Sequence, residues 1–216
     1  LKNGSILKID NDDLINVAKL IYDLSLDTKK FKEGVLDLPA NRALFVDNFI
    51  SEKKMSDFGQ NDRFKELVHD ITKPKDMDFQ LDDDLSTVLR DYQKFGYKWL
   101  KTLSLYGFGG ILADDMGLGK TLQVLAFIKE ERKTDKRPCL VVAPTSLIYN
   151  WKAETEKFVP DLDVEVVHGA KSERDKLLDT CNKKDIIVTS YGSLKRDIER
   201  YRSEEHTSEL QSLSHL

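Results

Sequence analysis

Lys120 and Thr121 follow two glycines, Gly117 and Gly119, in the stretch Gly-Gly-Ile-Leu-Ala-Asp-Asp-Met-Gly-Leu-Gly-Lys-Thr that runs from Gly109 to Thr121. Residues of these types at this spacing can hold a phosphate. Glycines let backbone N–H groups close on phosphate oxygens, and the positive end of a helix dipole favours an anion. A lysine so placed reaches β- and γ-phosphates, and a threonine hydroxyl beside it ligates Mg²⁺. Asp115, Met116, Gly117, Leu118, Gly119, Lys120 and Thr121 are therefore the candidate ATP-binding loop. Lys120 and Thr121 are also the candidate catalytic groups, and Thr121 the candidate metal ligand. One position departs from the general pattern G-x-x-x-x-G-K-[ST]: Asp114 stands where its first glycine falls. The plainer alternative is a glycine-rich turn with Lys120 as a solvated charge.

The flanking elements weigh against that alternative. A phosphate loop needs a strand before it and a helix after it. Gly110–Ala113 is a short apolar run that suits a buried parallel strand, and Leu122–Ile128 has helical character. Further along, Cys139–Ala143, Val164–Val167 and Ile186–Thr189 read as strands, with a helix expected over Leu147–Phe158 and Trp151 in its core. Ser172 and Asp175 form a capping-box pattern before a short helix. Strands alternating with helices imply an α/β fold with a parallel sheet and ligands at the strand carboxyl ends. The loops beginning at Asp114, Pro144 and Ser190 are expected on one edge, while the pairing of Val164–Val167 is left open by the sequence.

Upstream, Leu89, Tyr92, Gly96, Trp99 and Leu103 mark an apolar face on a helix ending near Gly107. Gln93 on that helix reads as surface from spacing alone, although its amide has the donor and acceptor to read an adenine edge. Lys73–Asp84, with Pro74 and five aspartates, reads as a linker. Before it, Ser5–Ile9 and Gly34–Leu38 read as short strands, and helices are expected from Asp12 or Asp13 to Leu26, over Ala40–Ile50 and over Asp62–Ile71.

The 216 residues are 40% hydrophobic and 33% charged, with no apolar run of membrane-spanning length, so no membrane partner is expected. Net charge is −4, yet residues 85–201 carry +3, a balance that permits a phosphate-backbone partner. Cys139 and Cys181 lack metal-ligand spacing and suit packing in a reducing, cytoplasmic compartment.

Taken together, Leu89-Arg90-Asp91-Tyr92-Gln93 with Gly96 and Trp99-Leu100, the loop Ala113–Gln123, Val141–Trp151 and Val188–Leu194 resemble four motifs of one family. They resemble the first RecA-like lobe of the Swi/Snf double-stranded-DNA translocases, superfamily-two helicase-like ATPases, over roughly residues 85–199; Asp114 is ordinary there. The resemblance implies a P-loop RecA-like sheet with flanking helices, preceded by a small mixed α/β accessory segment over 1–72 as in bacterial members. It implies that Gln93 holds adenine, and that Pro144, Thr145, Ser146, Thr189, Ser190 and Tyr191 touch DNA phosphates without reading sequence. For Thr145, Ser146 and Ser190 the local alternative is capping and turn chemistry, and for Tyr191 it is packing. ATP and Mg²⁺ are the implied cofactors. Double-stranded DNA is the implied partner, with a DNA-bound protein complex as a further one and a nucleoid-associated location. The family's Asp-Glu pair after an apolar strand does not occur in these residues. Residues 202–216 read instead as a translated sequencing adapter, so the expectation is a lobe truncated after Tyr201 and inactive in hydrolysis by itself. Another superfamily-two motor, or a nucleotide-binding interaction module that never hydrolyses ATP, are the competing readings.

Overall fold

Alternation within Ile186–Ser190 decides the architecture, because this strand is fully buried and sends successive side chains to opposite faces. Ile186 and Val188 enter one apolar cluster, and Ile187 enters another. In the computed structural model, which describes residues 11–24, 39–55, 60–74 and 77–202, this is the central strand β3. The sheet order is β1-β3-β2, with β1 spanning Cys139–Ala143 and β2 Val164–Val167, and both outer strands run parallel to β3. The pairing of β2, open in the sequence, is thereby settled. Ala143 lies opposite Ser190, and Val167 opposite Thr189.

The described residues form two compact units, one comprising residues up to Asp78 with Thr102–Gly110, the other Phe79–Lys101 with Ile111 onward. In the first unit, helices α1 (Asn11–Asp23), α2 (Ala43–Lys53) and α3 (Asp62–Thr72) follow one another. Leu20, Leu24, Val46, Phe49, Ile50 and Met55 form one small core, and Ala43, Leu67 and Ile71 another, joined by Tyr106 and Phe108. Asn61 caps α3 by accepting from the Phe64 N–H at 2.8 Å, and the Tyr106 hydroxyl donates to Asp70 at 2.6 Å. The strands expected at Ser5–Ile9 and Gly34–Leu38 lie outside the described residues, as does the tail beyond Arg202.

In the second unit, α4 (Asp83–Val88) and α5 (Asp91–Leu105, whose last turn belongs to the first unit) precede the loop. Helix α6 (Lys120–Thr134) follows the loop, α7 (Ile148–Phe158) joins β1 to β2, α8 (Lys171–Leu178) joins β2 to β3, and α9 (Tyr191–Tyr201) follows β3. Leu122, Leu125, Ala126 and Ile128 of α6 and Ile148 of α7 pack on the face bearing Val164, Val166, Ile186 and Val188. Leu178 of α8 and Tyr201 of α9 cluster with Val167 and Ile187 on the other. Burying each such aliphatic side chain contributes about 1.5–3 kcal/mol, so both sheet faces are covered. Trp151 is partly buried against the first cluster, as expected.

Four expectations are corrected. Gly110–Ala113 forms no strand: Ile111 is 87% exposed, and no neighbour among the described residues supplies the ladder hydrogen bonds a strand requires. Lys73–Asp84 is not all linker. Phe79 and Leu81 pack on the core, and Lys129 draws in Asp84 at 2.9 Å, Asp161 at 3.3 Å and Asp82 at 3.6 Å. Helix α8 is capped at Ala170 and Glu173 rather than at Ser172 and Asp175, with Glu173 accepting from the Ala170 N–H at 2.9 Å. The buried face of α5 carries Gln93, Gly96 and Tyr97, while Tyr92 stays exposed. Leu89 precedes that helix in extended conformation, which rotates the inward face by one position.

Candidate nucleotide loop and strand-end surface

The loop before α6 takes the form its glycines allow. Gly117 and Gly119 have φ of 87° and 71°, in the left-handed region that side chains disfavour. Gly119 caps α6, no side chain caps it, and no acidic residue lies in its first turn. The first helical residue is a cation, Lys120, whose ammonium donates to the carbonyls of Asp114 at 2.7 Å and Asp115 at 2.9 Å. Among the described residues Lys120 has no carboxylate partner. Positive charge at a helix N-terminus is ordinarily unfavourable by roughly 0.3–1 kcal/mol, and the first-turn N–H groups have no intrahelical acceptor. An anion would relieve both, so the donor set fits a phosphate. Thr121 lies in the same turn, half-buried, while Asp115, Met116 and Leu118 are exposed, Met116 at 98%.

Gln93 meets this loop. Its Nε2 donates to the Leu118 carbonyl at 3.1 Å, and its Oε1 accepts from the Arg90 N–H at 2.9 Å. The Tyr92 hydroxyl donates to the same Leu118 carbonyl at 3.2 Å. The residue is 6% exposed, which corrects the surface reading drawn from spacing alone. A Cβ at Gly119 would stand 2.5 Å from Gln93 Nε2, so a side chain there would push the Gln93 amide aside as well as strain φ. The fold thus brings Gln93 together with Gly119 and Leu118.

Sequence reading missed Gln123. This side chain is fully buried on α6, and its Nε2 donates to the Asp114 carboxylate at 2.9 Å. The available signal was Gly96 in mid-helix, where a side chain would collide with Gln123.

Strands β1 and β3 are parallel and end in register at Ala143 and Ser190, so Pro144 and Tyr191 leave the sheet on the same edge. Pro144, Thr145 and Ser146 are exposed, the last two in a 3-10 turn with no side-chain cap, and Tyr191 is 64% exposed. That exposure removes the packing alternative for Tyr191. Thr189 behaves otherwise: it is fully buried, and its hydroxyl donates to the Val167 carbonyl at 2.9 Å. Its side chain lies inside the fold, on the sheet face it shares with Ile187, rather than on the strand-end surface, which corrects its place among phosphate contacts. Ser190 is a helix cap, its Oγ accepting from the Ser193 N–H at 3.2 Å. Below this surface, Arg174 of α8 grips Asp197 of α9 through Nε–Oδ2 at 2.6 Å and Nη2–Oδ1 at 2.9 Å. Those bonds hold the Asp197 carboxyl below the usual carboxylate range.

Residues 92–213, more than half of the chain, match the family model for the SNF2-related domain. The chain belongs to the SNF2-related family. Residues 1–82 match a second model, the bacterial SNF2 helicase associated domain. Among curated relatives, this SNF2-related chain is similar to the ATP-dependent helicase/translocase YwqA of Bacillus subtilis, described as putative, at 36% identity over 68% of this chain and 16% of that protein. It is also similar to the TATA-binding protein-associated factor MOT1 of Saccharomyces cerevisiae, at 32% identity over 87% of this chain and 10% of that one. The chain therefore spans a small part of the length of these relatives. A solved Sulfolobus solfataricus SWI2/SNF2 ATPase core in complex with dsDNA superposes with a TM-score of 0.50 at 40% identity, over 56% of this chain and 25% of that one. The SNF2-related unit, with its parallel sheet and helices on both faces, has the RecA-like fold.

Proposed function

We propose that this chain forms the ATP-binding lobe of a DNA-dependent ATPase that moves along double-stranded DNA. The observation that carries the reading is Lys120: a cation without a carboxylate partner among the described residues, at a helix N-terminus that no side chain caps, enclosed by a loop of positive-φ glycines. On this reading the Lys120 ammonium leaves the carbonyls of Asp114 and Asp115 for the β- and γ-phosphates. The Thr121 hydroxyl would hold Mg²⁺, which would neutralise phosphate charge when bound. Gln93 lies against the same loop and turns its amide to the adenine edge, with Asp115 to Gly119 lining the phosphates.

DNA binds the edge formed by Pro144, Thr145, Ser146 and Tyr191, with Ser190 fixing the helix start behind it. Support comes from the exposure of these residues, from the +3 balance of residues 85–201 and from the likeness to an ATPase core solved with dsDNA. Similarity to a TATA-binding protein-associated factor supports a DNA-bound protein as a further partner. The test is equilibrium binding of Mg²⁺–ATP to residues 1–216 and to Lys120→Ala. Saturable binding that the variant lacks is expected; equal binding by both overturns the assignment.

A further inference from the structure

Asp114 occupies the place of a glycine in the general phosphate-loop pattern, and it does two things at once. Its carbonyl accepts from the Lys120 ammonium at 2.7 Å. Its carboxylate accepts from Gln123 Nε2 at 2.9 Å. Its φ is not positive, so an aspartate fits there without strain. Gln123 in turn is clamped. It is fully buried one turn into α6, and its Oε1 has no hydrogen-bond partner among the described residues. That oxygen fills the space where Gly96 would carry a Cβ, 1.8 Å from the ideal position. The amide thus lies between α5 and α6 with Asp114 as its hydrogen-bond partner.

We propose that Gln123 is a positioning residue for Lys120, acting through Asp114. The buried amide fixes the entrance of the loop relative to the first turn of α6, and so sets where the Lys120 ammonium rests and how readily it is released to phosphate. Gly96 is the small residue that admits the amide. A fixed side chain at the loop entrance takes over the restraint that a flexible glycine there would lack. This proposal rests on the reading of the loop as an ATP site.

The experiment compares dissociation constants of ATP, ADP and AMP, with Mg²⁺, for residues 1–216 and variants, alongside their thermal midpoints. Gln123→Leu and Asp114→Ala are each expected to weaken ATP and ADP by about tenfold, the worth of one hydrogen bond to a charged group, and AMP far less. Their combination is expected to be no worse than either alone. Gln123→Glu, which sets two carboxylates together, loses affinity in the same way. Adding Asp114→Asn, whose amide can donate to that glutamate, restores it. Equal weakening of all three nucleotides with a lowered midpoint makes Gln123 merely structural and overturns the proposal, as does unchanged ATP affinity. Absence of ATP binding by the unaltered chain overturns the ATP reading and this proposal together, a result distinct from normal binding by every variant.

Discussion

Gln93 Nε2 donates to the Leu118 carbonyl at 3.1 Å, joining helix α5 to the glycine loop two residues before Lys120. The bond occupies the amide that an adenine edge would need. Gln93→Ala is expected to weaken ATP by about tenfold and to narrow the preference for ATP over GTP, since a donor–acceptor pair to the base is worth roughly 1–2 orders of magnitude. Competition titrations with both nucleotides check this. An equal loss for ATP and GTP would leave Gln93 as loop support alone.

Gly117 and Gly119 separate conformational strain from collision. Both have positive φ, but a Cβ at Gly117 meets open space, whereas one at Gly119 meets Gln93 at 2.5 Å. Gly117→Ala is expected to cost about 1–2 kcal/mol, the left-handed penalty of an L residue, and Gly119→Ala more than that. Chemical denaturation of the two variants checks the order; the reverse order would mean that Gln93 moves aside freely.

The Arg174–Asp197 pair sets an acid limit. Asp197 titrates below its unfolded value of about 3.9, so its contribution is present above that pH and lost as pH falls through the lower folded value. Stability is expected to drop below about pH 4 in part through this group. Asp197→Asn leaves Arg174 charged in a buried site and is expected to cost about 3–5 kcal/mol at neutral pH, with a flatter acid limb. Denaturation midpoints from pH 3 to 7 decide; a parallel acid limb in variant and parent would exclude Asp197 from it.

Thr145 and Thr189 are expected to part company. Thr145→Ala, at an exposed position, should weaken binding to all duplex sequences alike and reduce the log–log salt slope by about 0.9 if one phosphate contact is lost, while leaving the melting midpoint in place. Thr189→Ala removes a buried hydroxyl bonded to the Val167 carbonyl and should lower stability by about 1 kcal/mol instead. Salt titrations on duplex DNA, paired with melts, check both; a sequence-selective loss in Thr145→Ala would contradict phosphate contact.

Residues 1–216 contain no Asp-Glu pair following an apolar strand, so these residues by themselves are expected to bind Mg²⁺–ATP without turning it over, with or without duplex DNA. Phosphate release is the measurement, and DNA-stimulated turnover would show that other groups here orient the attacking water.

Sequence alone determined the features whose causes are local. Left-handed backbone at Gly117 and Gly119 and a helix over Leu122–Ile128 follow from residue type, because only glycine takes positive φ without a penalty. Cys139–Ala143, Val164–Val167 and Ile186 onward were legible as strands from short apolar runs between helical stretches. The tertiary structure decided whatever depends on a distant partner. Spacing along α5 suggested Tyr92 inside and Gln93 outside, but the extended Leu89 turns Gln93 inward against Leu118. Ile111–Ala113 is as apolar as β1, yet apolarity cannot supply the neighbouring backbone that makes a strand. Thr189 is buried because α9 covers its face of the sheet, and its hydroxyl bonds the Val167 carbonyl of the adjacent strand. Asp114 and Gln123 meet where Gly96, on another helix, leaves room for the amide. Such contacts are set by packing between elements far apart in the chain, and no local propensity encodes them.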